Sequence, residues 1–347
     1  MRAALALGIL TASVGTHARG ADTPPRAPGD ASTFTFIFEN DLFGDTDAQY
    51  TNGMQLSWLS KDLENYIDAT EVPPALLRLA RWLPFIHAPD RLHNVGLSLG
   101  QQMFTPADTA RRDLIVDDRP YAGWLYGGVS FISKSATRMD AMEVQAGVVG
   151  PWSLAEDAQN LVHDLRDLPS ANGWDNQLEN EPGVMLIYER RHRWSHALGP
   201  DGWGCDLISN MGGTLGNVYT YLNGGAEVRL GWNLPADFGT SIIRPGGDTN
   251  GPSSAADPRL NGPHAFGVHL FAGVSGRLVL RDVFLDGNTF EDSHEIDKES
   301  FVGDYVIGAS LVFRQWKVSY AQNFRTREFE RQPSHHNFGS VSISWTF

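Results

Sequence analysis

The chain carries a single cysteine, Cys205, in 347 residues, so no intrachain disulfide can form. Cys205 reads as a small wall residue, because no charge or helix start adjoins it to activate a thiolate. Beyond residue 20 there is no apolar run of the ~18 residues that a membrane-crossing helix requires. Basic residues are scarce: 27 Lys and Arg stand against 41 Asp and Glu, a formal charge of -14, which argues against nucleic acid as a partner. No internal repeat is visible. A serine-hydrolase elbow of Gly-x-Ser-x-Gly spacing is not expected, and no serine occurs between Asn40 and Thr51 or between Gln159 and His163.

The N-terminus reads as an export signal. Arg2 supplies a positive start, Ala3 to Val14 a short apolar run, and Ala18-Arg19-Gly20 a small-residue cleavage site. The expected layout is a signal peptide over 1–20, a flexible lead-in over 21–32 and one domain over 33–347.

Within that domain the apolar residues recur at period two, the signature of strands. The phenylalanines of Phe34-Thr35-Phe36-Ile37-Phe38 share one face. The last eight residues are the clearest case: Val341, Ile343, Trp345 and Phe347 alternate with Ser340, Ser342, Ser344 and Thr346. Small hydroxylic residues suit a packed polar lumen, and a chain ending on an aromatic in such a strand resembles the last strand of bacterial outer-membrane barrels. The spacing predicts an all-β, antiparallel transmembrane barrel of about twelve strands. They are expected near 33–40, 50–60, 93–103, 123–133, 138–149, 182–194, 203–213, 219–231, 265–286, 300–313, 315–326 and 337–347. The ninth could break near Gly276.

With both termini on the periplasmic side, loops 41–49, 104–122, 150–181, 214–218, 287–299 and 327–336 face outward. Two inner connections are long. Residues 62–92 carry a helix-like pattern in Leu76, Leu79, Ala80 and Leu83, and 233–263, rich in Gly, Pro, Ser and Asn, are expected to be flexible.

The chemistry-bearing residues gather in the outer loops. Asn40, Asp41, Asp45 and Asp47 make an oxygen-rich corner that suits Ca²⁺, although a bland turn fits the run equally. Thr51 faces it across a short hairpin. In loop 150–181, Ser153 and Glu156 have capping-box spacing and open a helix that stops before Pro169. Leu154, Ala158, Leu161 and Leu165 form one stripe of that helix, expected to pack. Gln159 and His163, four apart, lie opposite. A histidine can serve as general base near neutral pH, and a solvated loop histidine is the alternative. Loop 104–122 holds Arg111, Arg112, Asp117, Asp118 and Arg119; arginine forks bind phosphate, and a solvated charged loop is the other reading. Tyr121, Trp124 and Tyr126 look like an interfacial aromatic girdle. His192 and His196 read as structural, and His335-His336 as a surface pair.

Several short motifs in fixed order carry a resemblance. They are Glu39-Asn40-Asp41 with Tyr50-Thr51-Asn52-Gly53; Gly100-Gln101-Gln102-Met103-Phe104-Thr105-Pro106; and Asp118-Arg119-Pro120-Tyr121-Ala122-Gly123-Trp124-Leu125-Tyr126. Gly147-Val148-Val149-Gly150-Pro151 leads into Gln159 and His163, followed by Gly173-Trp174-Asp175-Asn176-Gln177-Leu178 and Phe284-Leu285-Asp286-Gly287-Asn288-Thr289. Together they resemble the lipid A 3′-O-deacylase family of Gram-negative outer membranes, over nearly the whole mature chain. The resemblance implies a twelve-stranded barrel and calcium-dependent hydrolysis of the ester-linked 3′ acyl group of lipid A. The implied site residues are Asn40, Asp41, Thr51, Gln159 and His163, with Asn40, Asp41 and Thr51 near the metal. A basic residue falls on Arg111, and Arg112 stands beside it as a second phosphate contact. A family glutamate after the helix has no clear counterpart; Pro169 stands about there and Asp167 is the nearest acid. An outer-membrane phospholipase and a non-enzymatic barrel or porin are the rival readings. The expected partners are lipopolysaccharide and the outer-membrane bilayer.

Overall fold

A computed structural model describes residues 29–41, 49–66, 74, 85, 90–166, 170–240, 243, 249–260 and 265–347. The expected signal peptide and most of the lead-in lie outside these residues, as do Asp45, Asp47, Leu76, Leu79, Ala80, Leu83, Asp167 and Pro169. Among the described residues no helix is long and apolar enough to cross a membrane.

Twelve antiparallel strands close into one barrel, each paired with its sequence neighbour and β1 with β12. They are β1 Thr33–Asn40, β2 Gln49–Leu59, β3 Leu92–Thr105, β4 Ala122–Lys134, β5 Arg138–Val149 and β6 Glu181–Ala197. The second half comprises β7 Trp203–Gly216, β8 Tyr219–Trp232, β9 Phe266–Asp282, β10 Phe301–Phe313, β11 Trp316–Arg325 and β12 His336–Thr346. Of the two readings of the ninth, one strand is found: Gly276 pairs with Gly224 on one side and Gly303 on the other.

Alternation decides the faces. On β12, Ser340, Ser342, Ser344 and Thr346 are buried inward. Thr35 Oγ1 donates to Ser344 Oγ at 3.2 Å across the β1–β12 seam. The opposite faces expose apolar residues, Leu97 at 44% and Leu99 at 56% on β3. Closure leaves no strand edge, so the wall's backbone groups are paired within the sheet, as a bilayer requires.

Thr33 lies opposite Thr346, so the start of β1 and the end of β12 sit at one rim, the terminal end; Asn40 sits at the other, the loop end. At the terminal end the two long connections take opposite sides of the wall. Leu63, Tyr66 and Phe85 pack on the outer face against Val95 and Phe131. The described part of 233–260 enters the lumen instead. Asp237, Asn250, Asp257 and Arg259 are buried there. Arg229 Nη1 donates to Asp237 at 2.5 Å, Lys317 Nζ donates to the same carboxylate at 2.7 Å, and Lys134 Nζ to the Pro252 carbonyl at 2.6 Å. The expectation of a flexible connection is therefore corrected for its described part. Its polarity suits a lumen already lined with charge, where each buried ion must be paired. Burial raises the Asp237 carboxyl, but Lys317, Arg229 and Arg259 more than offset this and hold it well below the usual carboxylate range.

Candidate active site

The site is built on the outside of the wall. The parity that exposes Leu56 on β2 and Leu97 and Leu99 on β3 continues to Asn52 and to Gln101, Met103 and Thr105. Register aligns Asn40, Asn52, Met103 and Gly123 in one row across β1 to β4. These positions would meet lipid, yet Asn40, Asn52, Met103 and Thr105 are buried. Something covers them.

The cover is the loop between β5 and β6. Gly150, at φ 93°, ends the strand, and a 3₁₀ turn, Pro151–Ser153, follows. Leu154 then adopts a left-handed φ of 58°, which redirects the chain into helix α1, Ala155–Arg166. The turn and helix lie directly on Gly123, where an added Cβ would stand 2.0 Å from Ser153 Oγ and 2.4 Å from Ala155 Cβ. Gln101 Nε2 donates to the Ser153 carbonyl at 2.6 Å and ties the turn to β3. Met103, Tyr121, Ala155, Ala171 and Trp174 form the apolar contact beneath the helix, with Ala158 beside them.

The expected capping box does not form, since Leu154 intervenes between Ser153 and the helix and Ala158 N donates to the Leu154 carbonyl at 3.1 Å. The face assignment of the helix is also corrected, although Ala158 of the expected stripe does pack. Leu154 and Leu161 are exposed, whereas Ala155, Gln159 and His163 are buried against the wall. The physical reason is the solvent. Outside a barrel the leucines can face hydrocarbon, and the polar stripe gains by turning away from it.

The five residues expected to carry the chemistry are buried at this end: Asn40 at 5%, Asp41 at 0%, Thr51 at 3%, Gln159 at 2% and His163 at 4% exposure. Thr51 is the extra residue of a β-bulge, for Tyr50 pairs with Phe104 and Asn52 with Met103. The bulge re-aims its side chain, so that Thr51 Oγ1 lies 2.7 Å from Thr105 Oγ1 on the outer face. Trp174 Nε1 donates to Gln159 Oε1 at 2.7 Å. An indole nitrogen only donates, which settles the orientation of the amide. Gln159 Nε2 is buried with no hydrogen-bond partner among the described residues. An unmet buried donor costs about 1–3 kcal/mol, so this amide is suited to meeting a ligand. Burial, followed by the neighbouring Asp157 and Asp175, raises the Glu156 carboxyl above its ordinary value.

The other loop residues divide. Arg111 and Arg112 are exposed, and their main chain holds the covering loop; Asn176 Nδ2 donates to the Arg112 carbonyl at 2.7 Å. Arg119 belongs to the lumen, over the Phe104 ring at 4.6 Å and 3.4 Å from Glu328. Burial raises the Glu328 carboxyl, but Arg325, Arg119 and Arg277 outweigh it and lower it. Asp118 is structural, accepting from Ala107 N at 2.8 Å, and Asp117 pairs with Arg331 at the surface. His336 is not a surface residue but stacks on Phe338 in the wall. The expected girdle of Tyr121, Trp124 and Tyr126 is likewise corrected: all three are buried, and Tyr126 donates to Gln55 Oε1 at 3.2 Å inside the barrel. A Gly-x-Ser-x-Gly spacing does occur at Gly96–Gly100, contrary to the expectation of none. It lies in mid-strand of β3 rather than on a strand-to-helix turn, and Ser98 donates to Glu143 Oε1 at 3.0 Å.

Residue-by-residue reading missed Asn52, Gln101, Thr105 and Trp174 as parts of the site. The first three had a usable signal, because they put polar groups where alternation calls for lipid-facing residues. Trp174 had none, since only the folded loop brings it to Gln159. As for a metal, among the described residues no group of three or more His, Cys, Asp or Glu could hold one. The donors present, Asn40, Asp41 and Thr51, are all oxygen and suit a hard cation completed by other oxygens.

The comparisons agree with this architecture. A family model described as "Outer membrane protein LpxR" matches residues 4–347. Among solved structures, LpxR from Salmonella typhimurium is similar at TM-score 0.69 and 19% identity, over 91% of this chain and 100% of that one. The beta domain of the Bordetella autotransporter Brka follows at TM-score 0.42 and 7% identity, over 93% of this chain and 100% of that one. No curated protein sequence matches. The match over nearly the whole length, on a closed twelve-stranded barrel, shows that the chain belongs to the LpxR family of outer-membrane proteins.

Proposed function

We propose that this chain is an outer-membrane lipid A 3′-O-deacylase that hydrolyses the ester-linked 3′ acyl group with His163 as general base. The observation that carries it is the placement of Gln159 and His163, buried against the outer wall on a helix whose Leu161 faces outward. A site of that kind lets acyl chains stay in the hydrocarbon while the ester reaches polar groups. By the rule that both barrel ends of the chain are periplasmic, the loop end faces outward, into the leaflet that holds lipid A.

The chain's own groups divide the work. His163 takes a proton from water, which attacks the ester carbonyl without an acyl-enzyme, and returns it to the leaving sugar oxygen. Asp41 orients that histidine or helps to hold the cation. Gln159, with its carbonyl engaged by Trp174, uses its amide hydrogens to position water or substrate. The lengths permit this: Ala155 to His163 rises about 12 Å, and the three strand spacings from β4 to β1 span about 14 Å. Asn40, Asp41 and Thr51 would hold Ca²⁺, which when bound supplies a Lewis acid and charge stabilisation at the carbonyl. Arg111 and Arg112, exposed at the margin, would grip a lipid A phosphate.

The lumen speaks against the porin reading, since the described part of 233–260 fills some of it with paired charge. Mass spectrometry of lipid A from cells with and without the chain tests the proposal. Loss of the 3′ acyl group is expected, abolished by EGTA and restored by Ca²⁺. Unchanged lipid A with new lysophospholipid would replace it with the phospholipase reading, and full activity in excess EGTA would remove the metal.

A further inference from the structure

At the opposite rim, on the same outer face, three arginines converge on one carboxylate. Asp140, fully buried on β5, accepts from Arg91 Nη1 at 2.5 Å, Arg138 Nε at 2.9 Å and Arg190 Nε at 2.7 Å. Tyr188 donates its hydroxyl to the same group at 2.7 Å. One negative charge is thus surrounded by three positive ones. A guanidinium carries five N–H donors, so each arginine keeps donors that Asp140 does not engage. The side chains of Arg138 and Arg190 remain about one third exposed, at 33% and 35%.

Their depth is set by the strand that carries them. Along the outer face of β6 the order is Val184, Leu186, Tyr188, Arg190, His192 and Trp194. Val184 and Leu186 are exposed at 54% and 43%, as lipid-facing residues are. Trp194, exposed at 56% and stacked on His192 at 5.8 Å, has the place of an interfacial aromatic. Trp203 and Trp316, also exposed, open β7 and β11 at the same rim. The arginines therefore lie just inside the aromatic level that marks the headgroup interface, from which their long side chains reach lipid phosphates.

We propose that Arg91, Arg138 and Arg190 form a binding site for the phosphodiester of an anionic glycerophospholipid in the periplasmic leaflet. Its acyl chains would lie along Leu186 and Val184. The excess positive charge selects an anionic headgroup, and the planar forks select phosphate. Asp140 holds the forks in place rather than saturating them. The inference rests on the outer-membrane placement and is independent of the deacylase chemistry.

Native mass spectrometry of the detergent-purified barrel with added phosphatidylglycerol tests it. Wild type should retain one phosphatidylglycerol, and Arg138→Gln with Arg190→Gln should weaken retention at least tenfold. Arg91 stays in that variant, so Asp140 keeps a partner, and heat-modifiable migration reports that the barrel is folded. Arg138→Lys with Arg190→Lys should fall between the two, because charge is kept and the fork lost. Equal retention by wild type and the glutamine variant would overturn the site. Displacement of the lipid by millimolar inorganic phosphate, with no preference for phosphatidylglycerol, would overturn the lipid assignment and leave a free-phosphate site. Unchanged lipid A deacylation in the glutamine variant is expected and separates this inference from the proposed reaction.

Discussion

Two regions of this barrel bury polar groups, and they do so differently. In the plug, Arg229 donates to Asp206 and Asp237, Arg259 to Asp257, Asp237 and the Asn250 carbonyl, and Lys317 to Asp237. Charge meets charge in a closed network. In the wall site, Gln159 is anchored on one side by Trp174 while its amide nitrogen meets nothing among the described residues. A completed network serves architecture. An incomplete one, held in place by its neighbours, is available to a substrate.

The comparison can be broken most sharply at His163. His163→Ala should fold and keep heat-modifiable migration, yet lose about 10²–10⁴-fold in lipid A hydrolysis, the usual cost of losing a general base. Wild-type rates in the purified variant would show that the buried helix face is packing and nothing more.

Asp237→Ala should do the reverse. Removing one member of a buried charge network costs about 3–5 kcal/mol, because the remaining cations are left uncompensated. Chemical unfolding should report that loss, while the folded fraction keeps its specific activity. The pH dependence has a definite sign. The Asp237 carboxyl is held below its ordinary range in the folded protein, so its contribution is present above the ordinary range. It is lost as pH falls through the lowered value. Acid unfolding of wild type should therefore be steeper than that of the variant.

Gly123→Val should displace the covering turn, since even a Cβ there meets Ser153 and Ala155. We expect a tenfold or greater fall in activity with little change in barrel stability. Retained activity would mean that the helix adapts and that its seat on β4 is not decisive.

Trp174→Phe should have the smallest effect. It removes one hydrogen bond to Gln159, worth about 0.5–1.5 kcal/mol, and frees the amide to rotate. A several-fold fall in activity with unchanged unfolding is expected. Equal loss in a Gln159→Ala background would show that Trp174 acts apart from Gln159 and would sink the positioning role.

The strands were legible because a barrel wall imposes one rule at every position: one face meets lipid and the next a polar lumen. The twelve segments, their order and the ends that bear the loops follow from that alternation. The candidate residues Asn40, Asp41, Thr51, Gln159 and His163 stood out as residues the wall did not need, sharpened by the resemblance. Their arrangement was not. Helical periodicity separates the leucines from Gln159 and His163 but cannot say which stripe faces protein, because a helix outside a barrel has hydrocarbon as its solvent. Nor could polarity distinguish a flexible connection from a plug, since the lumen is itself polar. Tyr121, Trp124 and Tyr126 carry the composition of a girdle, and only strand register turns Trp124 and Tyr126 inward. What the sequence by itself determined is the alternation and the polar residues that the wall does not need. What only the tertiary structure decided is which side of the wall each polar group lies on, because that depends on closure, register and a bulge at Thr51 that no local pattern encodes.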